Sequence, residues 1–142
     1  MALVTDIADA VVTELTGGAF SQSFTPQRRV LPEHELAEMK DLRVTVVPRG
    51  VEITASSRTT SQHDVQIDVG IQKKIGKATD TEVATLLALV DEIADFLKRR
   101  VLQAAPWAAW VKTANEPVYA PDHLAQQRAF TSVLTLTYRV LR

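Results

Sequence analysis

Most constraining in this chain is the stretch FTSVLTLTYRVLR, residues 130 to 142, where apolar and polar residues alternate almost without fault. Successive side chains on a strand point to opposite faces, so alternation at period two demands a sheet buried on one side. Phe130, Leu134, Leu136, Tyr138 and Val140 are expected inward, and Thr131, Thr135, Thr137 and Arg139 outward. DVQIDVGIQKK repeats the pattern, with Val65, Ile67, Val69 and Ile71 on one face and Asp64, Gln66, Asp68 and Gln72 on the other.

Two stretches read instead at helical period. Leu3, Val4, Ile7, Val11 and Leu15 make an amphipathic first helix over 3–15 that stops at Gly17 and Gly18. The second spans 80–102, about 35 Å at helical rise, with Val83, Leu86, Leu87, Val90, Ile93, Leu97 and Val101 in one apolar stripe. Thr79 and Glu82 have capping-box spacing at its start. Lys98, Arg99 and Arg100 sit where the helix dipole favours cations.

Between the helices, AFSQSFTPQRRVLP carries prolines at 26 and 32 and reads as an extended edge segment, because proline cannot donate to a central ladder. LRVTVVP and VEITAS read as two strands joined by a hairpin turn at Arg49-Gly50. SRTTSQ reads as a polar loop, and PWAAWVKTANEPVYAPDH as a loop rich in proline that holds both tryptophans. The order helix, strands, helix, strand predicts an α+β fold over 1–142 as a single domain. Its sheet is expected to be mixed, mostly antiparallel and flanked by two helices.

At 142 residues the chain can bury roughly two-thirds of its unfolded surface in one core. A net charge of −1 gives little general attraction to nucleic acid or anionic membranes. No apolar run approaches the ~20 residues that span a bilayer. Acids at Asp6 and Asp9 argue against a signal peptide. Cysteine is absent, which excludes disulfides and thiolate metal sites and suits the cytoplasm.

The search for chemistry is short. HELAE at 34–38 begins like a zinc-protease helix, but Glu38 stands where the second histidine must be, and His63 and His123 lie far away without ligand spacing. Asp64 and Asp68 share a strand face about 13 Å apart, too far to share one metal ion. No nucleophile elbow, phosphate loop or dinucleotide fingerprint occurs. Lys73, Lys74 and Lys77 form one basic cluster and Lys98, Arg99 and Arg100 another, with no interleaved aromatics to stack on bases. Trp107 and Trp110, three apart after Pro106, are expected to share a face of a short helical turn. They serve either as a satellite core or, with Tyr119, as interface anchors.

In order and spacing, FTPQRRVLP, DLRVTVVPRG, the SSR loop before DVQIDVGIQ, LLALVDEIADFL, EPVYAP and FTSVLTLTYRV resemble the tail terminator (tail-completion) family of long-tailed bacteriophages and prophages, over nearly the whole chain. The resemblance implies a fold like that of tail-tube subunits and a structural role without catalysis, cofactor or metal. It implies a ring of six copies that ends tube growth and offers a surface to head–tail connector proteins, with DNA only passing through the lumen. The place of action implied is the tail or neck of the virion, after assembly in the host cytoplasm. A closed ring needs two different patches that meet by rotation, and open sheet edges can pair between neighbours. The loops 56–63 and 103–123 are the candidate patches, which puts forward Arg58, His63, Trp107, Trp110 and Tyr119, together with Arg28 and Arg29. Alternatives are a head–tail connector or stopper, a small metal-binding enzyme using His34 and Glu35, and an adaptor that binds through Trp107 and Trp110.

Overall fold

A computed structural model of the protein describes residues 2–29, 41–76, 79–115 and 118–142. Its elements are α1 (Leu3–Thr16), β1 (Pro26–Arg28), β2 (Arg43–Ala55), β3 (Ser61–Lys74), α2 (Thr79–Leu97), β4 (Ala109–Ala114), α3 (Pro121–Gln127) and β5 (Ala129–Leu141). The strands form one five-stranded sheet in the order β1-β2-β3-β5-β4. Only β1 runs parallel to its neighbour; the other pairs are antiparallel. The fold is α+β with a mixed, mostly antiparallel sheet.

The alternating stretches do what their period requires. Val65, Ile67, Val69 and Ile71 on β3 are fully buried, and each stands opposite an inward residue of β5 (Tyr138, Leu136, Leu134 and Ser132). Val44 and Val46 of β2 extend the same face. Ile7, Val11 and Leu15 of α1 and Leu86, Leu89, Val90, Ile93 and Leu97 of α2 join these side chains in one core, so both helices cover the same side of the sheet. Leu89 is a core position outside the expected stripe, and Val101 is 64% exposed rather than buried.

The reason for the last difference is where α2 stops. Arg99 takes a left-handed φ of 57°, a conformation that ends a helix. The helix therefore runs 19 residues, about 28 Å, not on to residue 102. Arg100 then turns inward. Its Nε donates to Glu14 Oε2 at 2.6 Å, and its guanidinium lies 4.0 Å over the Phe96 ring centroid. A cation expected to serve the helix dipole instead ties α2 to the last turn of α1. The Thr79–Glu82 capping box is also rewired: Glu82 Oε2 accepts from Gly76 N at 2.9 Å, while Thr79 Oγ1 accepts from Arg128 at 2.9 Å.

Gly18 earns its place by close approach, since a Cβ there would meet the Phe20 ring at 2.6 Å. Phe20 packs on Phe24 and Phe96, each at 5.2 Å between ring centroids, and anchors the segment after α1 to α2.

Three expectations need correction. Arg49-Gly50 is not a hairpin turn: β2 is one strand, and its register with β3 shifts between Pro48 and Gly50. Such a one-residue bulge is a common alternative use of a proline–glycine neighbourhood inside a strand. The hairpin turn is at 56–60, where Ser57 Oγ accepts from the backbone N–H groups of Thr59 and Thr60. The segment from Pro106 is not all loop, because it holds β4 and α3. Trp107 and Trp110 do not share a helical turn, for Trp110 sits on β4 opposite Tyr138.

Candidate assembly surfaces

Strands and helices differ in reach. At about 3.3 Å per residue, the 14-residue β3 is about 46 Å long, well beyond the roughly 28 Å of α2. At the far end of the β2–β3 hairpin the core-side residues of β3 and β5 stay buried, Val65, His63, Tyr138 and Val140 among them, while those of β2 do not. Val51 and Ile53 stand there on the core-side face, opposite Val65 and His63, yet are 43% and 61% exposed. Adjacent exposed β-branched side chains on a strand make an apolar surface that a partner can cover.

The backbone gives two unlike open edges among the described residues. At one margin β1 covers β2 only from Val44 to Val46, so the outer edge of β2 beyond the bulge has no paired strand. At the other margin lies β4, paired on one side with β5. Between β4 and α2 runs a groove of about 380 Å³ floored by Val90, Ala94, Trp110, Thr113 and Leu134. Trp110 is fixed in it by an indole N–H that donates to Thr113 Oγ1 at 2.9 Å.

The sheet face away from the helices is polar and carries two arginine–aspartate pairs. Arg139 Nε donates to Asp64 Oδ1 at 2.9 Å, and this bond is the main cause holding the Asp64 carboxyl below its ordinary range. Arg49 bridges Thr135 Oγ1 at 3.1 Å and Asp68 at 3.4 Å, and the Thr135 hydroxyl donates to Asp68 at 2.8 Å. The two aspartates are thus held by separate arginines, not together. A concave trough of about 460 Å³ crosses this face over Gly50, Glu52, Gln66, Lys112 and Thr137. Among the described residues no group of three His, Asp or Glu side chains is placed to hold a metal ion.

The seven side chains put forward from the sequence do not converge. Arg28 is on β1 and pairs with Asp9 of α1 at 2.6 Å. Arg29 is exposed, and its backbone N–H donates to Val46 O at 3.0 Å. Arg58 is exposed at the tip of the 56–60 turn. His63 is not in a loop; it lies on β3, 8% exposed, and its Nδ1 has no hydrogen-bond partner among the described residues. Trp107 is 47% exposed, while Trp110 packs against the core. Tyr119 lies 6.3 Å from the Phe130 ring, and Phe130 is eight residues, about 26 Å, along β5 from the Tyr138 that faces Trp110. Tyr119 therefore cannot share one anchor with the tryptophans. His34, Glu35, Glu38, Lys77 and the side chain of His123 lie outside the described residues.

Reading the residues alone missed Val51, Ile53 and the α2–β4 groove. A partial signal was present, because Val51 and Ile53 continue the strand alternation, but sequence pattern does not tell a covered strand end from an uncovered one. No helix among the described residues is long and apolar enough to cross a membrane. No protein-family model matches the chain, and no curated protein matches it.

Proposed function

We propose that this protein is a ring-forming structural component of a long-tailed phage or prophage. In this reading it caps the tail tube, ends its polymerisation and presents the surface to which head–tail connector proteins attach. The observation that carries the reading is the pair of unlike edges that are open among the described residues, β2 beyond Val46 on one margin and β4 on the other. Two different edges on opposite flanks are what a head-to-tail ring of identical subunits requires. The exposed Val51 and Ile53 and the half-exposed Trp107 supply apolar surface for such contacts.

A protein that works by assembly uses its strands and grooves as functional parts, and the resemblance in chain order points to the tail terminator among ring formers. Its partners are then other copies of itself, six in the closed ring, the tail-tube protein below and connector proteins above, with DNA passing through the lumen. Its place is the tail or neck of the virion, reached from the host cytoplasm. The test adds the purified protein to polymerising tail-tube subunits and measures tube lengths by negative-stain microscopy. Shorter tubes ending in a ring are expected; an unchanged length distribution contradicts the proposal.

A further inference from the structure

We infer that the groove between α2 and β4 receives the β2–β3 hairpin of a second copy of this chain, with Val51 and Ile53 entering the groove and Arg58 meeting the acidic side of α2. The inference rests on the ring reading above and specifies which surfaces meet.

Apolar surface is unmatched on both sides. Val51 and Ile53 are two residues apart on one strand face, and each keeps a large exposed fraction. The groove offers Val90, Ala94, Trp110 and Leu134, beside a strand whose outer edge is open among the described residues. Seating the open edge of β2 along β4 brings Val51 and Ile53 to the helix side, where the groove lies.

Charge fixes the occupant as another copy. Helix α2 carries Asp80, Glu82, Asp91, Glu92 and Asp95 and no lysine or arginine between Thr79 and Leu97. Glu82 and Glu92 are taken up by Gly76 and Ser21, and Asp95 by Lys98 at 3.6 Å. Asp91, on the helix rim of the groove, has no ion pair among the described residues. Lys112, the groove's other cation, is on the strand side. On the hairpin Arg58 is the single charged residue from Ile53 to His63, and it too has no ion pair among the described residues. A lone cation on one patch and a lone acid on the other give register as well as attraction. The hairpin edge and the groove lie on opposite flanks, three strand spacings or about 14 Å apart, so the contact repeats head to tail.

The natural absence of cysteine makes the test direct. Ile53→Cys protein is mixed with Ala94→Cys protein and treated with a short bismaleimide, as purified protein at high concentration and again on protein sedimented with tail tubes. The mixture is expected to give a crosslinked dimer that stops there, and the chain carrying both substitutions a ladder of higher multimers. Arg58→Glu in the hairpin partner is expected to lower the yield about tenfold, and Asp91→Arg in the groove partner to restore it. Ile53 is exposed and Ala94 is partly buried, so thermal melts of both variants first establish that each folds. Crosslinking within either single variant, or no mixed dimer in both preparations, overturns the inference. Tubes still shortened without the mixed dimer mean that this docking fails while the cap stands. A mixed dimer with tube length unchanged means that the docking stands and the tail reading fails.

Discussion

Glu14 is the residue whose chemistry the fold uses most fully. Its side chain is 6% exposed and accepts from Arg100 Nε at 2.6 Å and from Gln103 N at 2.8 Å. Burial pushes the carboxyl up, but the Gln103 N–H and the Arg100 guanidinium outweigh it and hold it below 4.5. With its pKa lower folded than unfolded, Glu14 adds stability above pH 4.5, which is lost as pH falls through the folded value. Glu14→Gln should therefore destabilise by about 2 kcal/mol at pH 7, a figure reduced because Arg100 is partly solvated. Urea melts at several pH values should show the gap to the wild type narrowing in acid. Arg99 gives a prediction of opposite sign. Its left-handed φ of 57° costs a side-chain-bearing residue about 1–2 kcal/mol, part of which the extra unfolded-state freedom of glycine cancels. Arg99→Gly should raise stability by about 0.5–1 kcal/mol in the same melts.

At the scale of elements, β2 is where sequence and structure part most clearly. Pattern alone located β3, β5, α1 and the body of α2, because each buries one face along its whole length and the period is unbroken. It divided β2 at Arg49-Gly50, because a glycine after a proline signals a turn as readily as a bulge. Only the 14-residue partner β3 decides between them. It overlooked β4, whose six residues, AWVKTA, are too short and too exposed to alternate. The bulge makes a clear prediction. A Cβ at Gly50 meets nothing within 4 Å, and Gly50 is not among the positive-φ positions. Gly50→Thr should thus leave the protein as stable, or more stable by about 0.5 kcal/mol through higher strand propensity and lower unfolded-state entropy. A loss of more than about 1 kcal/mol in thermal melts would restore the turn.

For the whole molecule, the candidate surfaces were only partly legible in the sequence, and the reason is geometric. Exposed loops and aromatics can be picked out by residue type, which put Arg58 and Trp107 forward. Whether Val51 and Ile53 are core or surface depends on their place on an outer strand, since Val65 and His63 opposite them on β3 are buried, and strand order is a property of the whole sheet. His63 shows the converse: a polar residue assigned to a loop is a buried strand position, because β3 begins at Ser61. One side of the sheet is closed by the protein's own helices, and among the described residues two flanks are open. On the proposed function, those flanks receive neighbouring copies in a ring that stops a tail tube. The measurement that tests this most directly is electron microscopy of particles from a phage in which this gene is disrupted. Capping by this protein predicts headless tubes of uncontrolled, excessive length. Tails of normal length beside separate, DNA-leaking heads would contradict it and assign the protein to the connector, and intact infectious particles would contradict both.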